Sequence, residues 1–303
     1  MTMNPDLNLT IFPATTYLSV KPGTSITHRV LLKYEGTTRI NVLPELVDFK
    51  TDGLTGTPIL QKPSQLSYVT LQNPGKDLGK IFVIEPGSQV ELVIKIDPPL
   101  HAKLGEQPLS LVLTANPDTS VVFDGSSTQT AAAIASNIIL SVQNDFENQG
   151  QLEIEKIQLP RIVDSFSTIK FSTLVKNTGQ NAVAAAGEMR INHGWSGKEL
   201  KHWYIYPDLV LADNTRQLRT TFQKPEDLDS DVEIVFEDSN YKPPFLIGPY
   251  EVRVELTESG QPNHHIQQQA ATIWAFPFSM IGLILLGIAL YIIINQLKLK
   301  QEN

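Results

Sequence analysis

The residues from Gln89 to Ile96 decide the fold class of this chain. They read QVELVIKI, so that apolar residues occupy the even positions from 90 to 96, whereas Glu91 and Lys95 occupy odd positions. Successive side chains of a β-strand point to opposite faces, and this alternation therefore predicts a half-buried strand. An amphipathic helix would need apolar residues three or four positions apart instead.

The same alternation recurs up to about residue 272, and long helical patterns are lacking there. The other alternating segments are Ser25–Tyr34, Leu109–Thr114, Asn137–Val142, Leu152–Ile157 and Val252–Leu256. Turn signals separate them, each with Gly or Pro within two residues, at Lys21, Asp52, Asn73, Glu85, Asn116, Asp124 and Asn177. Short strands joined by turns predict an all-β fold made of antiparallel β-sandwiches.

A polar connector divides the alternating region into two halves. It covers residues 141–150 and reads SVQNDFENQG. The chain has 303 residues, which leaves room for two domains of about 150 residues each. The halves also share an order of strands and Gly-containing turns. We therefore predict two related β-sandwiches, at residues 4–146 and 147–272.

An uncharged apolar run follows the second predicted domain. It covers Ile273–Ile294 and reads IWAFPFSMIGLILLGIALYIII, 22 residues without a charge. About 20 apolar residues cross the hydrocarbon core of a bilayer, and a buried core helix of this length would be unusual. We predict a transmembrane helix at 273–297 and a short basic tail at 298–303. Pro277 is expected in the first helical turn, where its missing N–H costs nothing.

The flanks of this run predict an orientation. Trp274 and Tyr291 stand near the two membrane interfaces, where aromatic residues are enriched. Lys298 and Lys300 follow the run, and the positive-inside rule places them in the cytoplasm. The lipid bilayer is therefore a predicted partner, with the β domains extracytoplasmic and the C-terminus cytoplasmic.

Export of these domains ordinarily requires a signal peptide with a basic region and an apolar region. The first 20 residues contain Pro5 and Asp6 but no Lys or Arg, so they do not match that pattern. We expect that a signal has been lost or removed. A start assigned downstream of the true one and a tail-anchored, cytosol-facing protein are the alternatives.

The composition narrows the classes of function. Lys and Arg number 24 against 32 Asp and Glu, a net charge of −8, which argues against nucleic acid as a partner. The chain contains no cysteine, so disulfides, cysteine nucleophiles and thiolate metal sites do not occur.

Several segments resemble known families. KPGTSITHRVLLKY (Lys21–Tyr34) and IEPGSQVELVIKIDPP (Ile84–Pro99) resemble the first domain of pilus-chaperone-like and related immunoglobulin-like modules. FSTLVKNTGQNAV (Phe171–Val183) and LIGPYEVRVELTESG (Leu246–Gly260) resemble bacterial surface immunoglobulin-like repeats. The layout of two such domains, a Trp-Pro edge, one helix and a basic tail is similar to WxL-interacting cell-surface proteins. This resemblance implies tandem immunoglobulin-like domains that bind a cell-wall polymer or another surface protein.

Candidate catalytic residues are sparse. Gly194–Gly197 reads GWSG, but Lys198 stands where a nucleophile elbow around Ser196 needs glycine, and a turn presenting Trp195 is the alternative. The adjacent His264 and His265 would point to opposite faces of a strand, which disfavours zinc binding. We therefore expect no enzymatic activity and no cofactor other than the metal ion considered next.

An acidic run is a candidate calcium site. Asp227, Asp229, Asp231 and Glu233 are spaced by two and would project from one side of an extended segment. Val232 stands where an EF-hand loop begun at Asp227 needs glycine, and a solvated acidic surface is the alternative reading.

Aromatic residues offer the candidate binding surface. Trp and Tyr are enriched at binding hot spots. The members of this surface are Trp195, His202, Trp203, Tyr204 and Tyr206. The alternatives are packing in the sandwich core or against lipid headgroups.

These observations favour a non-enzymatic, membrane-anchored envelope protein. Two other functions remain open: a tail-anchored tether with a domain similar to major sperm protein, and an accessory subunit of a membrane complex.

Overall fold

The computed structural model describes residues 7–117, 121–123, 126–128, 131–144, 150–224, 234–258 and 267–301. The chain divides into two units. The first comprises Met1–Asp52 and Thr57–Gln149, and the second comprises Gly53–Gly56 and Gly150–Asn303. Strands dominate both units, and the second unit ends in an apolar helix.

Facing sheets form the first unit. Its strands are β1 (Leu9–Phe12), β2 (Thr15–Val20), β3 (Ile26–Tyr34), β4 (Ile40–Thr51), β5 (Pro58–Pro63), β6 (Val69–Leu71), β7 (Phe82–Ile84), β8 (Gln89–Ile96), β9 (Gly105–Pro117), β10 (Val121–Phe123), β11 (Ser126–Thr128) and β12 (Ala132–Val142). One sheet has the order β1-β3-β8-β6 and the other β2-β12-β9-β4-β5, with β7 on β4 and a separate β10–β11 hairpin.

The alternation in β8 buries the residues that the sequence predicts. Leu92, Ile94 and Ile96 are buried, and they share one core with Leu111 of β9 and Leu140 of β12 from the facing sheet. The burial of apolar area from both sheets is the main favourable term for such a sandwich.

The second unit repeats this arrangement. Its strands are β13 (Leu152–Gln158), β14 (Ile162–Asp164), β15 (Ile169–Lys170), β16 (Ser172–Asn177), β17 (Val183–His193), β18 (Glu199–Val210), β19 (Thr215–Gln217), β20 (Thr220–Thr221), β21 (Asn240–Tyr241), β22 (Gly248–Glu258) and β23 (Gln267–Phe276). The sheet β13-β16-β19 faces the sheet β14-β23-β22-β17-β18-β20, and β15 pairs with β21.

In each unit the first strand breaks near a proline and continues in the other sheet. β1 pairs antiparallel with β3, and after Pro13 the chain continues as β2, parallel to β12. β13 pairs antiparallel with β16, and after Pro160 it continues as β14, parallel to β23. Proline has no N–H for a ladder, so a break is favoured there. The expectation of antiparallel sandwiches is wrong at the pairs β2–β12 and β14–β23. In each unit the first extended segment pairs with one sheet before the break and with the other sheet after it.

The helix α1 spans Phe278–Gln301 and begins five residues after its predicted start. Ile273 and Ala275 instead end β23 with their side chains fully buried in the core of the second unit. Pro277 precedes α1, and its carbonyl oxygen accepts the N–H of Ile281 at 3.0 Å. Pro277 is therefore the N-cap residue rather than part of the first turn. Apolar composition alone cannot distinguish the buried end of a strand from the start of a membrane helix.

The stretch Phe278–Leu297 of α1 is long and apolar enough to cross a membrane. It has 20 residues and a mean hydropathy of 2.3, and none of it is buried in the structure. Tyr291 lies within it, whereas the side chains of Lys298 and Lys300 lie outside the described part of the structure.

A β-bulge in β18, where Tyr206 and Pro207 lie opposite Ala186 of β17, reverses the faces of β18. The pairing of β17 with β18 shifts between Ala185 and Gly187, and the buried side chains of β18 change from odd positions such as Trp203 to even positions such as Asp208. Gly187 has a φ of 139°, and a Cβ there would overlap the carbonyl oxygen of Glu255. Position 187, next to the residue that faces the bulge, therefore requires glycine because of its own φ and the close approach of β22.

We expect Gly187→Ala to lower the free energy of unfolding of the second unit by about 3 kcal/mol, because strained backbone and steric overlap add. Gly197→Ala is the matched control, since Gly197 also has a positive φ of 66° but open space around it. The control should lose about 1–2 kcal/mol. The three tryptophans lie in the second unit, so fluorescence during denaturant unfolding of the full chain in micelles measures both values. Equal losses would contradict the steric argument.

Candidate functional site

The structure separates the predicted aromatic surface into different places. Trp203 is fully buried, and its ring contacts Phe171 edge-on at 5.2 Å between centroids. Lys201 Nζ covers the same ring at 4.7 Å. Removing an indole from such a core site typically costs about 3–5 kcal/mol, so Trp203 serves the core and is not available to a partner. The sequence could not predict this burial, because both faces of β18 carry aromatic side chains and the strand period does not tell which face turns to the core.

His202 and Tyr204 lie on the opposite face of β18. Their rings are 4.6 Å apart, and His202 Nε2 lies 3.2 Å from Glu188 Oε2 on the neighbouring strand. These side chains are half-buried.

Trp195 projects from the turn between β17 and β18. Its side chain is 66% exposed, and its ring covers Gly248, where a Cβ would lie 2.5 Å from the ring. Ser196 Oγ lies 3.2 Å from His193 Nδ1 in the same turn. Strands flank this turn on both sides, so it lacks the strand-to-helix geometry of a nucleophile elbow.

The predicted calcium ligands Asp227, Asp229, Asp231 and Glu233 lie outside the described residues, as do His264 and His265. Within the described ranges, no group of three or more His, Asp or Glu residues could hold a metal ion. The calcium site stays a prediction.

Tyr206 contacts Phe236, which lines a groove that the sequence does not reveal. The groove has a volume of about 570 Å³. Its walls come from Gln158 at the end of β13, from residues 170–172, from residues 217–220 and from residues 236–240. Thr220 donates its hydroxyl to the carbonyl of Glu237 at 2.6 Å, which holds one wall against the other.

A stacked guanidinium forms one wall of this groove. Arg219 lies with its Cζ 3.9 Å from the ring centroid of Phe236 and 5.1 Å from that of Tyr206. Its Nε donates to the buried Asp208 at 2.7 Å, and Arg216 donates to the same carboxylate at 2.8 Å. The hydrogen bond to Asp208 raises the pKa of Arg219 above its usual value. The cation and its aromatic neighbours are therefore held in a fixed geometry.

The groove offers mixed chemistry to a ligand. Phe236 is 42% exposed, and Lys170, Glu237, Asp238 and Asn240 also line the groove. An exposed ring beside charged and amide groups suits an extended polar chain, such as a glycan or a peptide, better than a compact apolar ligand. Sequence patterns could not find it, because the lining residues come from four separated segments.

A second feature of the second unit joins its sheets to α1. Asp164, at the end of β14, accepts the N–H of Ser279 at 2.7 Å through one carboxylate oxygen and the N–H of Phe166 at 3.0 Å through the other. These backbone hydrogen bonds lower the pKa of Asp164, with that from Phe166 the larger cause. A carboxylate at a helix N-terminus also interacts favourably with the helix dipole. Sequence analysis missed this cap, because 115 residues separate Asp164 from Ser279.

No protein-family model matches the chain, and no curated protein matches it. Similar solved structures include the class 5 fimbriae chaperone CfaA, with 11% identity, a TM-score of 0.41, and coverage of 87% of this chain and 98% of that chain. The CsuC–CsuE chaperone–tip adhesion subunit pre-assembly complex of Acinetobacter baumannii has 14% identity, a TM-score of 0.38, and coverage of 89% and 99%. The PapD-like domain 7 of human CEP192 has 10% identity, a TM-score of 0.30, and coverage of 48% and 92%.

These neighbours are pilus chaperones and a PapD-like domain, the class named by the resemblance of Lys21–Tyr34 and Ile84–Pro99. Their similarity to this chain is too low to indicate its function, and the strand order of this chain itself shows the β-sandwiches. The likeness to WxL-interacting surface proteins stays a prediction.

We expect Asp164→Asn to speed hydrogen exchange of the Ser279 amide several-fold, because Asn has one acceptor oxygen for two N–H groups. The exposed Asp213→Asn is the matched control and should leave this amide unchanged. Exchange is followed by mass spectrometry on the full chain in nanodiscs.

The protection should also depend on pH. Because the pKa of Asp164 is lowered in the folded protein, its contribution is present above about pH 3.9 and is lost as the pH falls through the lowered value. The wild type and the Asn variant should therefore converge in acid. A constant difference at all pH values would contradict the cap.

Proposed function

We propose that this chain is a non-enzymatic, single-pass membrane protein of the cell envelope. Two immunoglobulin-like β-sandwich domains stand outside the cytoplasm, and they bind a cell-wall polymer or another surface protein. The single observation that carries this proposal is the junction of β23 with α1. A fully exposed apolar helix begins one residue after β23, whose Ile273 and Ala275 are buried in the core, and is capped by Asp164 of the same unit.

The helix supports a membrane location through its surface. An apolar helix that is exposed all round would be unfavourable in water, because burial of apolar area is the main favourable term in folding. A bilayer removes that surface from water and leaves the backbone hydrogen bonds of the helix intact.

The tail supports the proposed orientation. Lys298 and Lys300 follow the apolar run, and lysines close to the end of a transmembrane segment favour the cytoplasmic side. This orientation puts the groove beside Tyr206 outside the cell, where a wall polymer or a surface protein is accessible. The groove is the proposed binding surface of the second domain.

The absence of natural cysteine allows a direct test of orientation. Lys62→Cys on the exposed strand β5 and Glu302→Cys in the tail each provide one thiol. We expect a membrane-impermeant maleimide to label Cys at position 62 in intact cells and to label position 302 only after the cells are permeabilised.

The opposite labelling pattern would favour the cytosol-facing tether over the envelope protein. Recovery of the unlabelled chain in the soluble fraction, rather than with membranes after alkaline extraction, would contradict membrane anchoring itself.

The groove is tested by retention of the full chain, in nanodiscs, on purified cell wall. We expect Phe236→Ala to weaken retention about tenfold, since aromatic hot spots contribute 1.4 kcal/mol or more at such sites. Tyr17→Ala on β2 removes an aromatic of similar exposure that belongs to the first unit and does not line the groove, and this variant should bind as the wild type does.

Equal retention of both variants would exclude the groove as the binding surface. Failure of the wild-type chain to bind would exclude the wall polymer and leave a surface protein as the partner.

A further inference from the structure

Exposed apolar side chains surround the end of the second unit from which α1 begins. We call this set the aromatic collar. Each side chain is at least 41% exposed. The members of the collar are Phe166, Trp195, Phe245, Ile247, Trp274 and Phe276.

Strand pairing places Trp195 at the same end as α1. Gly248 pairs with Ala275, two residues before Pro277, and Trp195 covers Gly248. The turn that carries Trp195 is held there by the N–H of Gly194, which donates to the carbonyl oxygen of Pro249 at 2.8 Å. A turn distant in sequence therefore lies beside the start of the helix.

A second turn brings Phe166 and Phe245 to this end. Ser165 donates its N–H to the carbonyl of Phe276 at 3.0 Å, and its own carbonyl accepts the N–H of Leu246 at 2.8 Å. The rings of Phe166 and Phe245 then meet edge-on at 5.5 Å. The hydrogen bonds thus connect both rings to the last residue of β23.

The end of β23 completes the collar. Trp274 and Phe276 project from the same face of the strand, with ring centroids 6.0 Å apart. Ile162 of β14 pairs with Trp274 and is also exposed. A contiguous group of exposed apolar side chains of this size marks an interaction surface, whereas single exposed apolar residues do not.

The length of α1 indicates what covers the collar. The uncharged apolar stretch Phe278–Ile294 has 17 residues, which span about 26 Å at 1.5 Å per residue. The hydrocarbon core of a bilayer is about 30 Å thick, which is at least the length of this stretch. All of the stretch, including Phe278 at its start, must therefore lie in the core when the helix spans the bilayer. Since Phe276 is only two residues away, the end of the second unit is drawn into the headgroup layer.

We propose that the aromatic collar lies in the headgroup layer of the bilayer that α1 spans. This proposal rests on the membrane anchoring proposed above and adds a second contact with lipid through the turns of the β domain. Trp and Tyr are favoured at such interfaces, where an apolar ring and a polar edge meet both environments. Arg161, beside Ile162, and Lys198, beside the Trp195 turn, are exposed cations available to lipid phosphates.

The tryptophans provide the probes for the test. The full chain is reconstituted in phosphatidylcholine vesicles, with or without bromine atoms near the lipid headgroups. Trp274→Phe retains Trp195, Trp195→Phe retains Trp274, and the double variant retains only Trp203. Trp203 pairs with Met189, which pairs with Val254, six residues and about 20 Å along β22 from Gly248. It therefore gives the background.

We expect the variant that retains Trp195 to lose at least as much emission in brominated vesicles as the variant that retains Trp274, and the double variant to lose little. Iodide in the aqueous phase should quench neither exposed tryptophan strongly.

If the variant that retains Trp195 is quenched by iodide and matches the double variant in brominated vesicles, the collar proposal is overturned. Quenching of Trp274 in that case would leave membrane anchoring intact. If the chain fails to float with vesicles and neither tryptophan responds to bromine, the anchoring proposal fails and the collar fails with it.

Discussion

The parallel pairing of β14 with the last residues of β23 is the contact on which the helix-bearing end of the second unit depends. It exists because the first strand of the second unit breaks near Pro160 and crosses to the other sheet. That crossing brings Asp164 to the first turn of α1 and, through the hydrogen bond from Ser165 to Phe276, brings Phe166 of the collar to the end of β23. The cap and part of the collar therefore follow from one change of sheet, which the first unit repeats near Pro13.

The local patterns of the sequence predicted much of the fold. Alternation in Gln89–Ile96 gave a strand with the expected buried face, and the apolar run near the C-terminus gave one long apolar helix. These features depend on residues close in sequence. The start of α1 was predicted five residues early. Ile273 and Ala275 are apolar residues that suit a membrane helix and the core of a β-sandwich equally well, and here they lie in the core.

The candidate site could be predicted only in part. Aromatic composition singled out Trp195–Tyr206 as a candidate surface, but the alternation of β18 sends Trp203 into the core, whereas Tyr206 contacts Phe236. The partners of Tyr206, Arg219 and Phe236, come from separated segments, and so does the carboxylate that caps α1. Such features require the pairing of distant strands, which no short motif encodes.

The single residue between β23 and α1 has a mechanical consequence for the proposed membrane protein. Pro277 is the whole connection, and its backbone is restrained by its ring and by the first hydrogen bond of the helix. A slack tether would absorb a pull on the bound ligand by extending. Here the load passes from the sheet into α1 and the surrounding lipid, so tension on the second domain would appear as a tilt of the transmembrane helix.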